Sequence, residues 1–207
     1  MIIAIDGPAA SGKGTLAKRL ARHFRLPHLD TGLIYRGVAR LMLDRSLSLD
    51  DVEAAAALAE ALSVADLDEE RLRGREMGEA ASAIAVHPKV RKALLDVQRR
   101  FAHQPGGAVL DGRDIGTVIA PGAEVKIFVT ATPEVRAGRR HREYVARGIE
   151  STFDDVLADI LRRDARDSGR ADSPLKAAPD AVTLDTTDLD ADAALAAAIV
   201  LIGDRRP

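Results

Sequence analysis

The chain has 207 residues, with 30 Lys and Arg against 32 Asp and Glu, a net charge of −2 and no cysteine. That length suits one domain with a substantial core and a small insert. The near-neutral balance argues against a nucleic-acid partner, and an aromatic content of 3% leaves little for base-stacking platforms. The lack of cysteine excludes disulfides and thiolate metal sites. No apolar run approaches the ~20 residues of a membrane span, and the N-terminus enters a strand at once, without a signal-peptide pattern. A cytoplasmic, monomeric protein with no membrane partner is expected.

In chain order, the apolar run Ile2-Ile3-Ala4-Ile5 predicts a strand, followed by Gly7-Pro8-Ala9-Ala10-Ser11-Gly12-Lys13-Gly14-Thr15. Glycines at this spacing let successive backbone N–H groups point into one concavity. Lys13 adds a charge and the helix that follows adds its positive N-terminal end, so the segment predicts a cradle for a nucleoside triphosphate. Leu16, Leu20 and Phe24, with Ala17 and Ala21, form the apolar face of that helix. The strict pattern has Ser or Thr directly after the lysine. Here Gly14 takes that place and Thr15 follows, a form that points to small-molecule kinases rather than GTPases or motors.

Further strands are predicted at 26–29, 108–110, 125–129 and 181–184, and helices at about 13–24, 32–44, 50–62, 76–102, 133–147, 152–166 and 190–202. Residues 63–75 are charged and aperiodic and are expected to form a surface insert or a poorly ordered connection. Strands alternating with helices imply a parallel sheet covered on both faces, with ligands gathered at the carboxyl ends of its strands. Most of the polar signals fall at those ends. Asp111, after Ala108-Val109-Leu110, is the candidate acid for a magnesium shell, acting through water, with the Thr15 hydroxyl as a second candidate. Segment 136–170 holds nine arginines, seven acids and no lysine. Paired charges on a solvated helix would explain the balance. Arginine alone, however, supplies a planar fork matched to phosphate oxygens.

Four blocks together carry a resemblance to a known family. They are Ile5-Asp6-Gly7-Pro8 through Thr15; Leu29-Asp30-Thr31-Gly32-Leu33-Ile34-Tyr35-Arg36; Asp111-Gly112-Arg113-Asp114-Ile115-Gly116-Thr117; and Arg163-Asp164-Ala165-Arg166-Asp167-Ser168-Gly169-Arg170. The chain resembles the bacterial cytidylate kinases, of the nucleoside monophosphate kinase class, from residue 2 to about residue 200. The third block is the specific one, since the phosphate loop alone would admit adenylate, shikimate or dephospho-coenzyme A kinases.

The resemblance implies an α/β, P-loop NTPase-type, three-layer α/β/α fold with a five-stranded parallel sheet in the order 2-3-1-4-5. It also implies a single kinase domain spanning 1–207: a core of 1–38 and 104–207, an arginine-rich lid at about 139–152, and a helical monophosphate-binding insert at 39–103. The family usually places a small antiparallel sheet near 63–81, and this chain is too short and too charged there to form one. The implied reaction is phosphoryl transfer from ATP, with Mg2+, to CMP or dCMP. Gly7 through Thr15 and Arg139 would bind ATP. Thr31, Arg36 and Arg113 would hold the acceptor phosphate, with Tyr35, Arg163 and Asp167 near its ribose or phosphate. Ser82, Arg91 and Asp114 would read cytosine, and Lys13, Arg113, Arg163 and Arg170 would carry the catalytic charge. The rivals are a P-loop kinase acting on UMP or AMP, and an ATP-dependent switch protein.

Overall fold

A computed structural model describes residues 1–64, 67–72 and 74–203. Five strands, β1 (Ile2–Asp6), β2 (His28–Asp30), β3 (Ala108–Gly112), β4 (Val125–Thr130) and β5 (Val182–Asp185), form one sheet in the order β2-β3-β1-β4-β5. β1 pairs parallel with β3 and β4, and β4 pairs parallel with β5. The expected strand order is therefore the observed one. β1 reads as an unbroken apolar run because it is the central strand, buried on both faces.

Helices α1 (Lys13–Phe24), α6 (Pro133–Ala146), α7 (Phe153–Ser168) and α8 (Ala191–Ile202) accompany the sheet. The last three begin where short polar side chains cap them: Thr132 accepts from Val135 N, Thr152 from Asp155 N, and Asp190 from Asp192 N and Ala193 N. Leu16 and Leu20 of α1, Ile3 and Ile5 of β1, Ile127 and Val129 of β4, and Ala198 and Ile202 of α8 share one buried cluster. A second cluster joins Ala9 to Ala137 and Tyr144 of α6 and Val156 and Ile160 of α7. It ties the helical hairpin α6–α7 to the loop after β1. The stretch 139–152 thus starts inside α6, and only its residues 147–152 are non-helical.

The chain divides into two units, Met1–Leu29 with Ala102–Pro207, and Asp30–Phe101. The second is helical: α2 (Thr31–Asp44), α3 (Val52–Glu60), α4 (Arg75–Ile84) and α5 (Pro88–Ala102). The single helix expected over 76–102 is two helices. Pro88 has no N–H to donate and disfavours helical backbone at His87, so the chain breaks there and restarts with proline in the first turn.

The stretch 63–75 is exposed or half-buried at every described position but Leu72. Leu72 is buried, and a Cβ placed on Gly37 of α2 would lie 2.5 Å from Leu67 Cδ2 and 3.4 Å from Leu62 Cδ1. Leu67 thus reaches α2, where Gly37 makes room for it. The described residues between 62 and 74 contain no strand.

Candidate functional site

The loop from Gly7 to Gly12 is shaped by backbone conformations that side chains disfavour. Gly7 has φ +154°, and a Cβ there would lie 2.1 Å from the Val129 carbonyl oxygen of β4. Ala10 and Gly12 both have positive φ, 59° and 89°. Gly12 is the N-cap of α1 and makes no side-chain cap hydrogen bond to that end of the helix. Lys13 folds back over the loop and donates from Nζ to the Pro8 carbonyl at 3.3 Å.

Three side chains fix the loop from outside. Thr186, just past β5, donates from Oγ1 to the Ser11 carbonyl at 2.9 Å. Arg139 of α6 donates from Nη1 to Ser11 O (3.4 Å) and Thr186 Oγ1 (3.0 Å), and from Nη2 to Thr186 O (2.5 Å) and Leu189 O (3.3 Å). Arg136, 3% exposed, donates to Ala9 O at 3.3 Å and grips Asp164 of α7 with both terminal nitrogens, at 3.0 and 2.5 Å. A cleft of about 840 Å³ opens beside these groups, with Gly12, Thr15, Arg139, Arg142, Thr187 and Ala191 on its walls. Its size suits a small-molecule ligand.

A second polar centre lies in the same unit. Asp167, near the end of α7, accepts from Arg113 Nε at 2.8 Å, and Arg163 Nε lies 3.9 Å from the same oxygen. Arg170 Nε donates to the Asp167 carbonyl at 3.2 Å. Burial pushes the Asp167 carboxyl up, but Arg113, Arg163 and Arg170 together pull it below its ordinary value. The buried carboxylate thus binds Arg113 directly and feels the charges of Arg163 and Arg170, the last of which is tied to the Asp167 backbone carbonyl.

Two buried acids lie at the carboxyl ends of β3 and β1. Asp111 of β3 is 2% exposed; its Oδ1 lies 2.8 Å from His28 Nε2, and its Oδ2 would lie 3.6 Å from a Cβ on Gly14. Asp111 thus stands against the first turn of α1. Asp6, the last residue of β1, accepts from Ile115 N at 2.7 Å and Gly116 N at 2.8 Å. It braces the turn that carries Arg113 and the buried Asp114 into a single π-type turn, Ile115–Ile119.

In the helical unit, Asp30 caps α2 by accepting from Gly32 N at 2.9 Å. A Cβ on Gly32 would come within 3.0 Å of that same carboxylate, which explains the glycine. The cap sets the first two turns of α2, which bear Thr31, Tyr35 and Arg36. Arg91 of α5 is 7% exposed, donates to the Ala85 carbonyl at 3.4 Å and lies 5.8 Å over the Tyr35 ring, within cation–π range. Ser82 of α4 is buried as well.

A family model for cytidylate kinase matches residues 3–203. The chain is 62% identical over 202 residues to the cytidylate kinase of Methylocella silvestris, covering 98% of this chain and 94% of that one. It is 60% identical over 206 residues to the cytidylate kinase of Xanthobacter autotrophicus, covering 100% and 99%. The chain belongs to the cytidylate kinase family. It is an ATP-dependent kinase with an α/β fold. Among solved structures, an uncharacterized protein from Eubacterium ventriosum covers 99% of each chain with a TM-score of 0.58 at 16% identity, a likeness of fold alone.

For a cytidylate kinase, the residues singled out in the sequence divide between the two units. The sheet-containing unit gathers Arg113, Arg163 and Arg170 at Asp167, and lines the cleft with Gly12, Thr15 and Arg139. The helical unit brings Tyr35 and Arg91 together. Asp6, His28, Arg136 and Thr186 carry structural work in the site that no spacing revealed. Thr186 follows β5 at a carboxyl strand end, the one general signal that could have marked it. The oxygen donors near α1 suit a hard cation. Among the described residues no group of three or more His, Cys, Asp or Glu forms a protein cage, so a divalent ion there would take most ligands from phosphate and water, as Mg2+ does.

Proposed function

We propose that the chain transfers the γ-phosphoryl group of ATP to CMP and dCMP, giving ADP and CDP or dCDP. An acceptor phosphate oxygen forms the new bond to the γ-phosphorus as the bond to the ADP oxygen breaks. The protein's task is to align these atoms, spread positive charge over the equatorial oxygens and exclude water. Gly7 through Thr15 cradle the triphosphate, with Lys13 as the mobile charge and Arg139 beside the nucleoside in the cleft. Arg113, Arg163 and Arg170 supply the remaining charge. When bound, Mg2+ neutralises phosphate charge, with Asp111 acting through water and Thr15 as a hydroxyl donor.

On the acceptor side, Thr31 and Arg36 bind the monophosphate together with Arg113. Tyr35 and Asp167 serve the ribose region. Cytosine has an N4 amino donor that Asp114 can accept, and O2 and N3 acceptors for Arg91 and Ser82. Uracil carries O4 in place of the amino group and would set an acceptor against the Asp114 carboxylate.

Most support comes from one observation: three arginines from two chain segments converge on Asp167 in the unit that holds the phosphate loop. A solvated helix face needs no such convergence. The test is ADP release from MgATP across CMP, dCMP, UMP, AMP, GMP and shikimate. Strong stimulation by CMP and dCMP alone is expected. Stimulation by another acceptor would discard the cytosine-reading trio, and slow hydrolysis indifferent to every acceptor would favour an ATP-dependent switch.

A further inference from the structure

Asp6 is an unusual residue to end a central strand. It is 4% exposed, yet it carries a carboxylate. Its two oxygens are spent on neighbouring backbone donors, Oδ1 on Ile115 N at 2.7 Å and Oδ2 on Gly116 N at 2.8 Å. Asp6 lies opposite Gly112 in the β1–β3 register, so the side chain reaches sideways from one strand to the turn leaving the next. That turn holds Arg113 and Asp114, which the proposed function assigns to the acceptor's phosphate and base. A Cβ on Gly116 would lie 3.4 Å from Asp6 Oδ2 and 3.2 Å from Lys126 Cδ, so glycine keeps the turn close to the carboxylate.

Stability alone does not account for this carboxylate. Burial, with Asp114 adding to it, pushes the Asp6 carboxyl up to about 6 even though the two backbone donors and Arg113 pull it down. A raised carboxyl favours folding most below its unfolded value of 3.8, and that contribution is lost as pH rises through about 6. At neutral pH that contribution is gone. The turn has separate apolar anchors, Ile115 and Ile119, both buried.

We propose that Asp6 is a positioning residue for phosphoryl transfer: its carboxylate sets the backbone of the 113–116 turn and so aims Arg113 and Asp114 at the acceptor nucleotide. The proposal rests on the functional reading above. A single acid accepting two consecutive N–H groups fixes both the distance and the tilt of the turn, which one hydrogen bond cannot do. A misplacement of about 1 Å at such groups can lower the rate by about 10²-fold.

The test uses Asp6→Asn, which keeps the shape but cannot accept from both donors, and Gly116→Ala, which pushes on the clamp from the other side. In each, kcat/KM for CMP is expected to fall by about 10²-fold and the preference for CMP over UMP to narrow. Binding of a non-hydrolysable ATP analogue should stay within about 2-fold, since the phosphate loop is fixed independently by Arg136, Arg139 and Thr186. The Tm of Asp6→Asn should stay within about 3 °C of the parent. Unchanged CMP kinetics in both variants would overturn the proposal. So would parallel losses in ATP-analogue affinity and Tm, which mark a merely structural role. Rapid exchange of the Ile115 and Gly116 amides in the unaltered protein would overturn it without any variant. If the unaltered protein ignores CMP, the functional reading fails first; if it uses CMP and the variants match it, only the role of Asp6 fails.

Discussion

Asp167→Asn removes the one negative charge around which Arg113, Arg163 and Arg170 are gathered, while conserving side-chain size. The Asp167 and Arg113 side chains are only 6% and 15% exposed and lie 2.8 Å apart. At an effective dielectric constant near 20, unit charges ~4 Å apart attract by about 4 kcal/mol, and removing one partner of a buried pair typically costs about 3–5 kcal/mol. For a chain of this length each kcal/mol moves Tm by about 2–4 °C, so a fall of roughly 6–20 °C is expected. Thermal unfolding followed by circular dichroism reads it directly. The sign of the pH dependence is fixed, because the Asp167 carboxyl is held below its ordinary 3.8. Its stabilisation is fully present above 3.8 and is lost as pH falls through the lower folded value, so the gap between parent and variant should stay constant from neutral pH down to about 3.8 and close progressively between there and the folded value. A double-mutant cycle with Arg113→Ala isolates the pair, and coupling of about 2 kcal/mol or more is expected. A Tm change under about 2 °C, or additivity within about 0.5 kcal/mol, would refute the idea that this carboxylate assembles the arginines.

Arg163→Ala should lower kcat by about 10²–10³-fold, as loss of one preorganised charge does, and Tm by no more than about 3 °C; equal proportional losses in urea midpoint and activity would make Arg163 structural. Gly7→Ala combines a positive φ with a Cβ 2.1 Å from the Val129 carbonyl oxygen. Strain and overpacking together should cost about 2–5 kcal/mol in urea unfolding, with weaker ATP-analogue binding, and a variant as stable as the parent would show that the loop relaxes freely. Asp114→Asn should narrow the CMP-over-UMP ratio of kcat/KM by an amount worth about 1–3 kcal/mol, and an unchanged ratio would remove Asp114 from base reading.

Much of the fold was legible because its signals are local. Central β1 is an apolar run that ends at a glycine-rich turn and a helix with one apolar face, and those periods depend only on neighbouring residues. The phosphate loop was legible for the same reason: Gly7 and Gly12 answer backbone demands made within a few residues, including a positive φ that other side chains resist. Where local signals conflicted, the reading failed. The apolar periodicity across 76–102 outweighed Pro88, and the charge of 63–75 hid Leu67, which packs against Gly37 of α2, and the buried Leu72.

The site divides along the same line. Sequence named Arg113, Arg163, Asp167 and Arg170 from their motifs, but not that the Asp167 carboxylate binds Arg113, since the two stand 54 residues apart. Nothing in the sequence linked His28 to Asp111, Arg136 to Ala9, or Thr186 to Ser11, pairs separated by 83, 127 and 175 positions. The sequence by itself determined the elements, the phosphate cradle and the kinase family, because residue type and spacing act over a few bonds. Only the tertiary structure decided which acid holds which arginine and which carbonyl braces the loop. Buried charges and backbone groups must find partners in space, and the parallel sheet brings together segments that are remote along the chain.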